Sequence, residues 1–460
     1  MENTSQQEIL HIHREQRRFF ATHQTKNIDF RLEKLKKLRA AINRNEDQIL
    51  EALWKDLRKS REEAYLTEIS IVNSELDLHI KNLKKWAAPK KVSTAMHLLP
   101  SSGAMHYEPL GLALIIAPWN YPFQLLMAPL VGAISAGCCA ILKPSENTPY
   151  IARLMEGIIK EIFETNYIAV VQGNQETGAF LLEQRFDKIF FTGSTRVGKI
   201  VMRAAAENLT PVILELGGKS PCIVDEKANI EVAAKRIIWG KTINAGQTCI
   251  APDYLLVHEN IKEELIAKMT GHLETMHGED ISSSLHYPRI VNEDAFDRIS
   301  LLLENTAGNK RTGGEKDRKD LYISPIILDG IQPEDELMKA EIFGPVLPII
   351  TYTVLEEAIA HINSGEKPLA LYYFGDKTRA GEVLHKTSSG GACINDTLMH
   401  IANHHLPFGG VGNSGYGKYH GKESFLAFSN RRAVVSTPTW IDLAFKYAPF
   451  KYFEWIKKFL

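Results

Sequence analysis

Three side chains in this sequence could together run acyl chemistry. Cys249 sits in a short polar loop, Gly246-Gln247-Thr248-Cys249-Ile250-Ala251-Pro252. Glu215 stands against two glycines in Leu214-Glu215-Leu216-Gly217-Gly218-Lys219, and Asn120 lies between prolines in Pro118-Trp119-Asn120-Tyr121-Pro122. A thiol, a carboxylate and an amide donor are the parts of a covalent acyl-transfer site. Each also has a plainer reading. A free cysteine is usually a buried structural thiol, an asparagine between prolines is a turn residue, and a carboxylate is usually solvated. Context separates them. Cys138 and Cys139 fall in an apolar run and Cys222 in an apolar strand, whereas Cys249 falls in a polar loop. Glu215 ends a run containing Ile213, Leu214 and Leu216, so an inward carboxylate there needs a reason. Partial burial would raise its pKa, which suits a base.

The elements that must position these groups alternate. Between 108 and 225 the pattern predicts strands at 112–116, 138–142, 168–172, 188–192, 211–216 and 221–224, with helices at 123–135, 150–163 and 197–206. A second alternating set runs to about 425. It has strands at 253–258, 322–328, 345–352, 369–374 and 392–395, and helices at 261–275, 355–363 and 377–387. An apolar-periodic run, 230–244, leads into the cysteine loop. Apolar strands alternating with helices imply parallel sheets covered on both faces, with ligands at the carboxyl ends of the strands. Residues 1–86 read as helical cladding to which no chemistry is assigned. Residues 87–107 are left as hairpin or loop, and 307–319 as a polar surface loop.

Composition narrows the class. The chain has 460 residues, enough for two or three structural units, and its 44% apolar and 24% charged content is that of an ordinary globular protein. A net charge of −1 argues against bulk attraction to nucleic acid. Five cysteines, an odd number without metal spacing, fit free thiols in a reducing, cytoplasmic setting. No His/Cys/carboxylate set has ligand spacing, so no metal is expected. The first residues lack a secretory pattern. The uncharged stretch 125–142 nearly reaches membrane-spanning length, but Pro129, Gly132 and Gly137 interrupt it, favouring a buried helix and strand. Gly193-Ser194-Thr195-Arg196-Val197-Gly198, between a strand and a helix, suits a dinucleotide phosphate, although GxxxxG spacing alone is weak.

Seven segments in one order resemble the aldehyde dehydrogenase family, and most of all its dimeric class 3 or fatty-aldehyde branch. They are PWNYP at 118–122, LKPSE at 142–146, FFTGSTRVG at 190–198, LELGGKSP at 214–221, GQTCIAP at 246–252, EIFGPV at 341–346 and HLPFGGVGNSGYG at 405–417. The resemblance implies an α/β fold: two parallel-sheet αβ domains, one Rossmann-like for the cofactor and one catalytic, with a small β oligomerisation arm. It divides the chain into 1–86 with 108–215 for NAD(P), 216–425 for catalysis, 87–107 with 426–440 as the arm, and 441–460 as a tail. It implies NAD(P)-dependent oxidation of an aldehyde to its acid. Cys249 would attack the carbonyl. Asn120 and the Cys249 N–H would hold the oxyanion, and Glu215 would activate the hydrolytic water. That carboxylate argues against relatives that pass the acyl group to coenzyme A.

The same resemblance places Gly193, Ser194 and Gly198 at the pyrophosphate, and Lys143, Ser145 and Glu146 toward the adenosine ribose. It places Glu341 on the nicotinamide ribose with Phe343 nearby, and Trp119 and Leu216 in the cofactor cleft. Tyr121, Thr248, Ile250 and Phe408 would line the substrate pocket. Glu146 would repel a 2′-phosphate and Lys143 attract one; NAD is favoured and NADP left open. A homodimer and an apolar aldehyde, medium-chain, long-chain or isoprenoid, follow from the branch. A non-catalytic relative and an esterase are the competing classes. The intact Cys249, Glu215 and Asn120 oppose the first, and NAD-independent turnover would reveal the second. The tail, 439–460, is aromatic and basic. It reads either as a latch over the body or a partner subunit, or as an amphipathic segment on a membrane surface; Pro449 favours the latch.

Overall fold

In the computed structural model, which describes residues 3–442 and 446–458, two mainly parallel sheets carry the chain. The first has six strands in the order Gly415–Tyr416, Val212–Glu215, Lys188–Thr192, Leu112–Ile116, Cys139–Lys143, Ile168–Val170. Only Gly415–Tyr416 runs antiparallel to its neighbour. Its strands are apolar on both faces because helices cover both. One of these, Gln124–Ala136, is buried at every position, which accounts for the uncharged stretch.

The second sheet has seven strands in the order Asn309–Thr312, Ile326–Asp329, Val346–Tyr352, Tyr254–His258, Pro221–Val224, Ala370–Phe374, Gly391–Ile394. All neighbours are parallel except the first pair. A third, antiparallel sheet joins Lys90–Val92, Ser102–Pro109 and Ser429–Ser436, so the 87–107 stretch is a hairpin extended by a strand from the far end of the chain.

Three expectations need correction. The 307–319 stretch is not simply a loop: Asn309–Thr312 joins the large sheet, and Lys316–Asp317 pairs with Tyr322–Ile323. The strand expected at 322–328 is two strands, broken where Pro325 has no N–H to give a ladder. The run 230–244 stops being helical at Thr242, and Asn244 and Ala245 take left-handed conformations, φ 51° each, which turn the chain into the cysteine loop. Among the described helices of eight or more residues, two escaped the sequence pattern, Gln175–Leu182 and Glu293–Glu304. Their asparagine N-caps, Asn174 and Asn292, are the local signal that was there to read.

Candidate active site

The cysteine loop is fixed before it is functional. Gln247 is fully buried and spends its amide on the chain: Nε2 donates to Asn244 O (3.0 Å) and Arg289 O (2.9 Å), and Oε1 accepts from Val291 N (3.0 Å). The Tyr372 hydroxyl holds Ile250 O at 2.5 Å. Between them Thr248–Ala251 closes a turn, and Cys249 is its half-buried member. Burial pushes this thiol up, as do Glu341 and Glu215, against a smaller opposite pull from the Cys249 and Ile250 N–H groups. A thiol so placed is a nucleophile only once a neighbouring base has taken its proton.

Glu215 ends the strand Val212–Glu215 and is buried, with neither carboxylate oxygen hydrogen-bonded. Burial raises its pKa well above the ordinary value, with partial relief from Lys418. The carboxylate lies against Gly409, where a Cβ would sit 2.8 Å from Oε1 and 2.4 Å from Gly417 O. Asn120 is buried against the cysteine loop, its Nδ2 donating to Gln247 O at 3.0 Å. One amide N–H is thus used and one is left for a ligand.

Cys249 and Glu215 open into a cavity of about 590 Å³ whose wall is mainly apolar. Tyr121, Thr248, Ile250 and Phe408 all line it, as expected, with Tyr121 Oη and Thr248 Oγ1 2.6 Å apart. The sequence pattern missed the opposite wall. Glu63, Leu66, Thr67, Ser70 and Ile71 come from the N-terminal helices that were read as cladding. They lie in or beside a π-helical turn, Tyr65–Ile69, a feature that clusters at functional sites. Glu63 accepts the Asn244 N–H at 2.8 Å, and burial raises its pKa to about 7. Tyr419 and Trp239 complete the wall without any prior signal.

The expected cofactor residues gather beside the same strand ends. Ser194 caps the helix Thr195–Ala206, accepting from Val197 N at 3.4 Å, and the first N–H groups of any helix lack intrahelical partners. Gly198 lets that helix close on Leu216, for a Cβ there would lie 2.6 Å from Leu216 Cδ2. Gly193 gives its N–H to Glu215 O at 3.0 Å, so its part is the turn, not a donated bond to phosphate. Lys143 Nζ is buried, 2.8 Å from Pro144 O and 3.4 Å from Glu146, while Ser145 Oγ accepts from Asn147 N. Trp119 and Phe343 meet edge to face at 5.3 Å.

Glu341 approaches Gly217 so closely that a Cβ there would lie 2.0 Å from Oε2. Burial, then Asp253, raises its pKa to about 8. Its loop is held by Asp253, which accepts the Ile342 N–H at 2.9 Å and pairs with Lys219 at 2.5 Å; Lys219 also donates to Leu337 O and Ala340 O. A carboxylate over a glycine, a capped helix with free donors and a lysine–glutamate pair fit a dinucleotide. Among the described residues, no group of three or more His, Cys, Asp or Glu could hold a metal ion.

Fold and site together fit an oxidoreductase that takes a dinucleotide. The chain belongs to the aldehyde dehydrogenase family, whose profile matches residues 1–434. It is 50% identical over 443 residues to the 4,4'-diaponeurosporen-aldehyde dehydrogenase of Staphylococcus aureus, covering 96% of each chain. It is 45% identical over 420 residues to the dimeric NADP-preferring aldehyde dehydrogenase of Rattus norvegicus, covering 91% of this chain and 92% of that one. A solved structure, described as the substrate-bound state of Staphylococcus aureus AldH, superposes with a TM-score of 0.97 at 48% identity. The match covers 98% of this chain and 99% of that one. The protein is an aldehyde dehydrogenase, oxidising aldehydes to acids with NAD or NADP.

Proposed function

We propose that Cys249 is the nucleophile, Glu215 the hydrolytic base and Asn120 an oxyanion donor, and that the aldehyde is apolar. The observation that carries the reading is the pairing of one half-buried thiol with one unpartnered, buried carboxylate on the wall of a single apolar cavity. The bound dinucleotide supplies the hydride acceptor. The Cys249 sulfur adds to the aldehyde carbon and its proton passes to a neighbouring carboxylate. The Asn120 amide and the Cys249 N–H hold the oxygen that gains charge. Once the hydride has left, the acyl group stays on sulfur as a thioester. Glu215 then takes a proton from water, which attacks the thioester and releases the acid.

The six-stranded sheet, with residues 1–86, is assigned to the cofactor and the seven-stranded sheet to catalysis. Gly193, Ser194 and Gly198 take the pyrophosphate side, Lys143, Ser145 and Glu146 the adenosine ribose, and Glu341, Phe343, Trp119 and Leu216 the nicotinamide side. NAD is the favoured acceptor because a carboxylate at Glu146, if it faces the adenosine ribose, would repel a 2′-phosphate, although Lys143 would attract one. Leu66, Ile71, Leu125 and Ile243 on the cavity wall support a medium-chain, long-chain or isoprenoid aldehyde, as does the name of the Staphylococcus relative.

The test is NADH and NADPH formation across aldehydes of increasing chain length, for the wild type and Cys249→Ala. Turnover should rise with chain length and fall by at least about 10⁴-fold in the variant. Preference for short polar aldehydes would overturn the substrate reading. Retained turnover in Cys249→Ala would overturn the nucleophile.

A further inference from the structure

We infer that Lys59, paired with Glu68, is a positioning residue for the oxyanion amide and acts through Asn120; this rests on the role proposed for Asn120. Both side chains are wholly buried, with Nζ 2.6 Å from Glu68 Oε1. The pair grips a single turn at both ends. Lys59 Nζ donates to Asn120 O at 2.8 Å and lies 3.9 Å above the Tyr121 ring. Glu68 Oε2 accepts the N–H groups of Phe123 (2.8 Å) and Gln124 (3.2 Å). The residues between, 120–124, include the amide and two residues of the cavity wall, Tyr121 and Gln124.

A buried ion pair is seldom better for stability than a well-packed apolar pair of the same volume. Stability alone therefore gives a weak reason for a lysine and a glutamate here. Orientation gives a stronger one. The Asn120 carbonyl also accepts from Asn244 Nδ2 at 2.9 Å, and both Asn244 Nδ2 and Asn120 Nδ2 donate to Gln247 O at 3.0 Å. Main chain and side chain of Asn120 are thus pinned separately, and the remaining amide N–H can point in one direction only. Oxyanion donors act through such preorganisation, and small misplacements are costly.

The variant Lys59→Met/Glu68→Gln removes the ion pair and the Lys59 donor to Asn120 O without leaving either partner's charge unpaired, while the new glutamine keeps an acceptor for Phe123 and Gln124. It is made in the wild type and in Asn120→Ala, and single-turnover NADH formation and NAD affinity are measured. Asn120→Ala should slow hydride release by about 10²–10³-fold. The paired variant should slow the wild type by about ten-fold or more, yet slow Asn120→Ala by less than about two-fold, because one effect passes through the other. NAD affinity should not change. Equal losses in both backgrounds, the signature of a structural staple, would overturn the inference, as would no loss in the wild type. A silent Asn120→Ala would overturn the oxyanion reading and this inference together; a slow Asn120→Ala with a silent paired variant would overturn this inference alone. If the paired variant does not fold, Lys59→Met alone, which removes the donor to Asn120 O, carries the same comparison, with a loss that must vanish in Asn120→Ala.

Discussion

At Glu215 two demands meet in one carboxyl. In the proposed mechanism it must be buried to face the thioester and ionised to activate water. Burial raises its pKa well above the ordinary value and Lys418 relieves only part of this. The folded chain therefore keeps the proton at pH values where the unfolded chain has lost it, so this group's contribution to stability falls as pH rises between the two pKa values. Hydrolysis has the opposite slope, since only the ionised carboxylate is a base. Thioester breakdown should thus rise with pH, with a midpoint above the usual carboxylate range, and stopped-flow profiles of single turnovers will show it. Glu215→Gln should flatten that rise and slow breakdown by about 10²–10⁴-fold. In the sequence these residues stand out because Cys249 sits in a polar loop, Glu215 ends an apolar run and Asn120 lies between prolines, and the family resemblance joins them. Lys59, Glu63 and Glu68 could not be read. In a helical pattern a charged residue is taken to face solvent, and nothing local says that these three face a protein interior instead.

At the scale of elements, the same pattern explains both the success and the misses. Parallel strands announce themselves as short apolar runs, so the parallel strands of both large sheets are legible, while their antiparallel edge strands, Asn309–Thr312 and Gly415–Tyr416, are not. Short polar strands such as Lys316–Asp317 and lightly apolar helices such as Gln175–Leu182 do not. Helix packing offers a direct check. Gly198→Val would drive new atoms into Leu216 and push Thr195–Ala206 off its strand. It should cost about 1–3 kcal/mol by denaturant midpoint and weaken NAD binding by titration. Gly157 lies in the helix Pro149–Ile162 with nothing within 4 Å of a built Cβ. Gly157→Ala should stabilise by about 0.5–1 kcal/mol without touching NAD affinity. A loss of stability at Gly157, or none at Gly198, would contradict the packing described.

The whole molecule carries apolar surface that one chain does not cover. Met96, Leu98, Leu99 and Val435 stand exposed on or beside the three-stranded sheet, and Trp440, Tyr447, Phe450, Tyr452, Phe453 and Trp455 on the tail. Phe445 and Phe459 of the tail lie outside the described residues. Among the described residues no helix is long and apolar enough to cross a membrane. The rat relative is named dimeric, and for this chain a homodimer is proposed, with the three-stranded sheet as its arm. Light scattering should give twice the chain mass of 51.7 kDa. Removing 440–460 should leave sedimentation with vesicles unchanged if the tail serves the assembly, whereas lost sedimentation would favour the membrane reading.

The two-step use of one thiol and one carboxylate is tested most directly by trapping what lies between the steps. Glu215→Gln is mixed with NAD and a long-chain aldehyde, quenched, and the Cys249 peptide weighed. A burst of about one NADH per site with an acyl group on Cys249 is the predicted result. Steady turnover without an adduct, or an adduct on another residue, would contradict it.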